Sequence, residues 1–218
     1  MAEQGDNLAL ITGASRGLGA ALAVEIAKKD IHVIAVARTV GALEEIDDLI
    51  QAAGGTATLV PMDITDEEAQ KRLCISIHER WGGLDIWAHC AIHAAPLAPA
   101  SHIADSDWQK TITQNITATG RLITNIEPLL TARKGTAVHM IDKNAGQKFF
   151  GAYGTSKAAQ DALFSSWAKE SESTGPRIIG FTPEPMPTAT RARFYPGEDR
   201  AALNSCESQA QRLVGLLA

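Results

Sequence analysis

The hydrophobic positions of the chain form short apolar runs that alternate with longer stretches of helical spacing. The run at residues 31–37 is apolar almost throughout, and others of similar length recur along the sequence. Runs of this kind are typical of strands that are covered on both faces, as in a parallel sheet. Strands are therefore predicted at residues 8–12, 32–37, 56–61, 84–89, 136–142 and 177–182.

The stretches between these runs have the spacing of amphipathic helices. Full-length helices are predicted at residues 66–81, 106–131 and 152–172, the second with Ser106 and Asp107 in capping position. Strands that alternate with helices predict an α/β fold with a doubly wound parallel sheet of the Rossmann type, in which the strand order is 3-2-1-4-5-6. A chain of 218 residues is long enough for one well-buried core, so we expect a single domain over residues 1–218.

Charge and cysteine content narrow the class of protein. The formal net charge of −5 and the lack of a basic stripe argue against nucleic acid as a partner. Cys74, Cys90 and Cys206 are widely spaced and odd in number, which fits reduced thiols and a cytoplasmic protein. The sequence shows neither a signal peptide pattern nor an apolar run of membrane-spanning length.

Glycines of a particular spacing follow the first predicted strand. The sequence Thr12-Gly13-Ala14-Ser15-Arg16-Gly17-Leu18-Gly19 leads from a strand into a helix, which is the arrangement that binds a pyrophosphate at a helix N-terminus. Gly13 permits a tight turn, Gly17 lets the backbone approach the ligand, and Gly19 lets helix and strand pack closely. An ordinary strand-to-helix turn is the alternative interpretation.

Two arginines indicate which dinucleotide is bound. The second predicted strand ends at Ala37-Arg38, where an NAD-binding protein would place a carboxylate on the ribose hydroxyl. Arg38, joined by Arg16 of the glycine loop, is placed to contact a 2′-phosphate, so NADP (NADPH) is the expected cofactor. The alternative is that both arginines are solvated surface residues.

Tyr153 and Lys157 are separated by one helical turn and lie on one face of a predicted helix. A tyrosine with its usual pKa of about 10 is a poor acid or base at neutral pH, and a nearby lysine charge lowers that pKa. The pair therefore indicates proton transfer by Tyr153.

With these motifs, residues 8 to about 200 resemble the short-chain dehydrogenase/reductase family, in its compact NADP-dependent branch. The resemblance implies hydride transfer between nicotinamide and a carbonyl or alcohol carbon, with Tyr153 as the acid or base. Lys157 would also bind the nicotinamide ribose, and Asn115 would hold a water of the proton relay. The remaining cofactor contacts that the resemblance implies are Ser15, Leu18, Asp63, Ile64, Cys90, Ala91, Pro183 and Thr188. A helix N-terminal cap is the alternative role of Asp63, and one residue could serve both roles.

The active site departs from the family pattern in three places. His89-Cys90-Ala91-Ile92 replaces Asn-Asn-Ala-Gly, Ile141-Asp142-Lys143 replaces Ile-Ser-Ser, and Pro183-Glu184 replaces Pro-Gly. In this alignment Lys143 takes the place of the catalytic serine. We expect Lys143 to pair with Glu184 or Asp142 and to donate to a substrate oxygen.

The remaining expectations concern the segments around the site. Residues 183–205 should cover the substrate, and the seventh edge strand of the family should be absent. His89 and His93 lack the spacing and the third ligand of a metal site, so no metal is expected. A homodimer is expected through the helices at 106–131 and 152–172, with a small carbonyl or alcohol as the substrate. The alternative function is a nucleotide-binding protein that has lost turnover.

Overall fold

The computed structural model describes residues 7–217, and six parallel strands form the centre of this region. The strand order is β3-β2-β1-β4-β5-β6, as predicted, and every neighbouring pair is parallel. The strands are β1 (Leu8–Thr12), β2 (His32–Ala37), β3 (Ala57–Pro61), β4 (Ile86–His89), β5 (Thr136–Met140) and β6 (Arg177–Phe181).

Helices cover both faces of the sheet. They are α1 (Gly17–Ala27), α2 (Val40–Ala52), α3 (Glu67–Trp81), α4 (Asp105–Thr111), α5 (Ala118–Arg133), α6 (Gly151–Glu170), α7 (Ala189–Phe194) and α8 (Cys206–Leu217), with a π-helical segment at Ile112–Thr117 between α4 and α5. Within residues 7–217, no helix is both long and apolar enough to cross a bilayer.

Alternation along β1 divides the core into two layers. Ala9 and Ile11 pack in the layer that includes α1 and α8, whereas Leu8 and Leu10 pack in the layer that includes α3, α5 and α6. All four are fully buried because successive side chains of a strand point to opposite faces and both faces are covered. The apolar runs of the sequence thus have a direct structural cause.

The predicted helix at 106–131 is interrupted and begins earlier than expected. Helix α4 starts at Asp105 after Ala104, which has no side-chain cap, so the predicted capping by Ser106 and Asp107 is wrong. The π-helical turn at Ile112–Thr117 then widens the helix around Asn115. Turns of this kind are rare and frequently occur at functional sites.

The parallel arrangement collects the carboxyl ends of all six strands at one edge of the sheet. The glycine loop follows β1, Arg38 follows β2, and Asp142 follows β5 at this edge. Ligands of open α/β sheets bind at this edge, near the point where the strand order reverses between β1 and β4.

Candidate active site

The glycine loop is held so closely against its surroundings that two of its positions exclude a side chain. Gly13 has a φ of +83°, and a Cβ atom there would lie 2.5 Å from the backbone nitrogen of Ala91. A Cβ on Gly19 would lie 2.3 Å from the carbonyl oxygen of Gly13. The two glycines therefore permit the tight turn and the close packing of α1 on the sheet.

The N-terminus of α1 faces the same cleft. Arg16 precedes the helix without a side-chain cap, so the first N–H groups of α1 are available to an anion. Gly17 has a φ of +58° and lies beside the Thr188 methyl group, which a Cβ would approach to 3.3 Å. This backbone cradle has the shape and polarity that a dinucleotide pyrophosphate requires.

A cleft of about 630 Å³ runs along the carboxyl edge of the sheet. Most of the predicted site residues line this cleft, namely Gly13, Ser15, Arg16, Gly17, Leu18, Gly19, Arg38, Ile64, Cys90, Ala91, Tyr153, Lys157, Pro183 and Thr188. Three of the predicted site residues do not line it: Asp63, Asn115 and Lys143.

Arg38 lies at the mouth of the cleft in a loose ion pair. Its Nη1 atom is 3.9 Å from Oδ2 of Asp63, and the two side chains are 54% and 43% exposed. Asp63 also accepts hydrogen bonds from the backbone and hydroxyl of Thr65. The alternative role of Asp63 as a helix cap is not found, because Asp66 caps α3 by accepting the N–H of Ala69.

The Tyr153 hydroxyl donates a hydrogen bond to Oδ2 of Asp142 at 2.7 Å. Burial raises the pKa of Tyr153 above its usual value, and the Asp142 carboxylate raises it further because the two anions would repel each other. The expectation that Lys157 brings the pKa of Tyr153 down is therefore wrong for this arrangement. Asp142, which lines the cleft, is the dominant charged neighbour of Tyr153.

Lys157 is buried and is engaged by the protein itself. Its Nζ atom donates to the carbonyl oxygen of Met140 at 2.5 Å and to Oε1 of Gln160 at 2.8 Å. Burial lowers the pKa of Lys157 to about 8, against the opposing attraction of Asp161 and Asp142. The ammonium group thus has a reduced capacity to act as a permanent charge.

Asn115 holds backbone and side-chain groups in place rather than facing the cleft. Its side-chain oxygen accepts a hydrogen bond from the backbone N–H of His93 at 2.7 Å. Its side-chain nitrogen donates to the carbonyl oxygen of His93 and to the hydroxyl of Ser156, each at 2.9 Å. The backbone carbonyl oxygen of Asn115 accepts a hydrogen bond from the side-chain amide of Gln160 at 2.7 Å. Gln160 therefore links Lys157 to Asn115, where the resemblance implied a water.

His89 continues this buried chain of hydrogen bonds. Its two ring nitrogens lie 2.8 Å from the hydroxyl of Thr12 and 2.9 Å from that of Thr119. Thr119 donates its own proton to Asn115, so it accepts from Nε2 of a neutral His89. Burial lowers the pKa of His89 to about 3, with Lys157 adding to the effect, and the ring stays uncharged. Within the described residues, no three His, Cys, Asp or Glu side chains are grouped as a metal site would need.

The predicted pairing of Lys143 is wrong. Lys143 is exposed, and within residues 7–217 it forms no ion pair. Glu184 lies 3.7 Å from Arg212 of α8 instead, and its side chain is 60% exposed. Strand β5 ends at Met140, before the predicted end at residue 142, and this places Asp142 rather than Lys143 on Tyr153.

Aromatic side chains form an apolar wall beside Tyr153. The rings of Phe150 and Phe194 are 4.9 Å apart, and the rings of Tyr153 and Phe194 are 4.8 Å apart, both edge to face. Ile92, which replaces a family glycine, packs against this group and lines the cleft. This end of the cleft is therefore narrower and more apolar than a glycine would leave it.

The segment predicted to cover the substrate contributes six residues to the lining of the cleft: Pro183, Met186, Thr188, Ala189, Thr190 and Arg193. Thr188 caps α7 by accepting the N–H of Arg191 at 3.1 Å. Arg193 lines the cleft and donates to the carbonyl of Ala94 at 2.6 Å, which links α7 to the chain after β4. Cys90 also lines the cleft, where burial raises the pKa of its thiol to about 12.

Sequence reasoning missed Gln160 and Phe150 as functional candidates, and it considered Asp142 only as a partner of Lys143. The spacing of Tyr153, Lys157 and Gln160 on one helix was available as a signal, because positions i, i+4 and i+7 share a face. No local pattern indicates the contact of Asp142 with Tyr153, since it depends on where β5 ends.

Residues 7–199 match the family model described as short chain dehydrogenase. An uncharacterised oxidoreductase of Listeria innocua is 32% identical over 173 residues, which are 78% of this chain and 69% of that protein. The glycine betaine reductase of Emericella nidulans is 28% identical over 179 residues, which are 81% of this chain but only 14% of that much longer protein.

Solved structures agree with the architecture. A short-chain dehydrogenase of Shigella flexneri, determined in complex with NADP, superposes with a TM-score of 0.90 at 26% identity. The superposition covers 98% of this chain and 91% of that chain.

Proposed function

The chain belongs to the short-chain dehydrogenase family, and we propose that it is an NADP-dependent oxidoreductase acting on a small carbonyl or alcohol. The observation that carries this proposal is that Tyr153 and Lys157 line the same cleft as the glycine loop. A phosphate cradle and a proton-transferring hydroxyl in one cleft are the two parts that hydride transfer to or from a carbonyl carbon requires.

The glycine loop and the start of α1 would hold the pyrophosphate, and Thr188 and Pro183 would border the nicotinamide. The bound nicotinamide supplies the hydride-transfer chemistry. The chain's own residues supply the rest: Ile92 and the aromatic wall exclude water, and Tyr153 exchanges a proton with the substrate oxygen. Residues 183–205 are proposed to cover the substrate.

The preference for NADP over NAD is supported by Arg38. Its pairing with Asp63 at 3.9 Å is loose and exposed, and exposed ion pairs contribute only about 0–1 kcal/mol. The guanidinium can therefore turn to a 2′-phosphate at little cost. The NADP complex of the Shigella flexneri relative is consistent with this choice.

Titration of tryptophan fluorescence with NADPH and NADH tests the cofactor. We expect NADPH to bind more tightly, and Arg38→Ala to weaken it by about 10- to 150-fold, from the 1.5–3 kcal/mol of a hydrogen bond to a charged group. Arg72 is an exposed arginine of α3 that does not line the cleft. Arg72→Ala is therefore the matched control and should leave NADPH affinity unchanged. Equal dissociation constants for the two nucleotides in the unmodified protein would refute NADP specificity.

A nucleotide-binding protein without turnover is the second candidate. The observation that favours it is the commitment of the Tyr153 hydroxyl to Asp142, which leaves no proton for a carbonyl oxygen. Absorbance at 340 nm, followed with NADPH and a panel of ketones and then with NADP⁺ and a panel of alcohols, separates the candidates. Tight nucleotide binding without any turnover would establish the second one.

We also propose a homodimer through the helical surface of residues 106–131 and 152–172. Gly120 of α5 and Leu163 of α6 lie next to each other, and Leu163 is an exposed large apolar side chain. A two-fold arrangement would bury such a surface against its own copy. Sedimentation velocity at micromolar concentration should show a dimer, which Leu163→Glu should dissociate.

A further inference from the structure

The direction of the hydrogen bond at Tyr153 restricts what can bind opposite it. The hydroxyl donates to Oδ2 of Asp142, and the other carboxylate oxygen accepts the backbone N–H of Asn144 at 2.9 Å. An ionised carboxylate can only accept, so the single phenolic proton is committed to Asp142. The tyrosine oxygen can then only accept from a ligand in the cleft, and an alcohol hydroxyl satisfies it where a carbonyl oxygen does not.

Lys157 lines the cleft together with Tyr153, but its hydrogen bonds lead into the protein interior. Lys157 donates to Met140 and Gln160, and the Gln160 side chain is 2% exposed. The amide nitrogen of Gln160 donates to Asn115 and, at 3.1 Å, to Thr119. An amide donates from its nitrogen and accepts at its oxygen, and it does not hand a proton on. Within the described residues, the link from Lys157 to Asn115 is thus filled by a group that does not relay a proton.

Building on the proposed function, we propose that Asp142 is the group with which Tyr153 exchanges its proton. When an alcohol is oxidised, its hydroxyl proton passes to the Tyr153 oxygen while the phenolic proton passes to Oδ2 of Asp142. The carbinol carbon gives up a hydride, with its electron pair, to the oxidised nicotinamide, and the C–O bond becomes a carbonyl. The Asp142 carboxyl group then releases its proton to water in the cleft, which it lines.

Carbonyl reduction uses the same atoms in reverse and requires Asp142 to begin in its protonated form. An ionised Asp142 therefore favours alcohol oxidation and a protonated Asp142 favours reduction, so the two directions should have opposite dependence on pH. The charged and titratable groups around the pair are Lys157 and Asp161 of α6, Cys90 after β4, and Arg191, Tyr195 and Glu198 in and after α7.

Tyrosine ionisation tests the coupling without any substrate. The chain has two tyrosines, Tyr153 and Tyr195, so Tyr195→Phe leaves Tyr153 as the one source of tyrosinate absorbance at 295 nm. In that background, Asp142→Asn should lower the midpoint of Tyr153 ionisation by at least about one pH unit, because the opposing carboxylate is gone. Asp161 is a carboxylate of α6, the helix that carries Tyr153, and it does not contact the Tyr153 hydroxyl. Asp161→Asn should therefore leave the midpoint of Tyr153 ionisation unchanged.

Asp142→Ser provides a second variant in case the amide variant does not fold, and circular dichroism at each pH monitors the fold. A downward shift in either folded variant supports the coupling. An unchanged midpoint in both variants overturns it.

Turnover then separates this proposal from the proposed function. The probes are NADP⁺ with 1-phenylethanol or cyclohexanol, and NADPH with 9,10-phenanthrenequinone. The rate of alcohol oxidation should rise with pH in the unmodified protein, and Asp142→Ser should remove this rise. Asp142→Asn should lower kcat by about 10²- to 10⁴-fold, which is the usual contribution of general acid–base catalysis.

If Asp142→Ser turns over substrate with the same pH profile as the unmodified protein, the proposed role of Asp142 is wrong. The proposed oxidoreductase function is unaffected by that result. The absence of turnover with every probe would refute the proposed function, and with it a catalytic role of Asp142. The tyrosine titration would still report the coupling of the two groups in that case.

Discussion

Acid should destabilise this protein through two histidines that are buried without charge. His89 and His139 are directly paired across β4 and β5, and they are 4% and 5% exposed. Burial and the Lys157 cation lower the pKa of His89 to about 3 and that of His139 to about 4. In the unfolded chain both have a pKa of about 6.5.

The unfolded chain binds protons at these two histidines at a higher pH than the folded protein does. Between pH 6.5 and the two folded values, the unfolded chain is protonated while the folded protein is not, so stability is lost as the pH falls. Each histidine contributes up to about 1.4 kcal/mol per pH unit, so the pair contributes up to about 5 kcal/mol between pH 6.5 and 4.5. That is comparable to the whole stability of many domains, about 5–15 kcal/mol.

Urea unfolding at pH 7.0, 6.0 and 5.0 measures this dependence. His89→Gln keeps an amide near Thr12 and Thr119 but does not titrate, so its unfolding free energy should fall less steeply below pH 6.5, by up to about 1.4 kcal/mol per unit. His78→Gln, an exposed histidine of α3, should retain the original slope. A parallel loss of stability in His89→Gln and in the unmodified protein would refute this prediction.

Two further predictions concern packing and buried polar groups. Gly13→Ala should destabilise the protein by several kcal/mol more than Gly54→Ala, since both have φ near +84° but only Gly13 would bring a Cβ against backbone, at Ala91. Equal thermal shifts for the two variants would contradict this. Gln160→Leu should lower the unfolding free energy by at least about 2 kcal/mol, because it removes the buried hydrogen bonds that the Gln160 side chain makes with Lys157, Asn115 and Thr119. An unchanged urea midpoint would count against it.

The sheet could be predicted from the sequence because each strand is buried on both faces and leaves a continuous apolar run. The predicted and observed limits of β1 and β2 coincide, and those of the other strands differ by one or two residues. Strand order followed from the alternation of strands and helices and from the glycine loop. These features depend on local sequence and on a small set of permitted topologies.

The active site could be predicted only where it depends on spacing within one element. Tyr153 and Lys157 lie on one helix, and the sequence fixes their relation. The contact between Asp142 and Tyr153 depends instead on the residue at which β5 ends. A shift of one position at a strand end turns the neighbouring side chain to the opposite side, so the sequence comparison selected Lys143 and the structure places Asp142 on the tyrosine.

The two halves of the cleft depend on different physical features, and they should respond to mutation separately. In the proposed function, nucleotide affinity depends on backbone N–H groups, on glycines that exclude a Cβ, and on Arg38, and none of these contacts Asp142. The proposed proton transfer depends on one contact between a hydroxyl and a carboxylate, next to a buried amide that does not relay a proton. A change at Asp142 should therefore alter the pH dependence and direction of catalysis while nucleotide affinity stays the same, and a change at Arg38 should do the reverse.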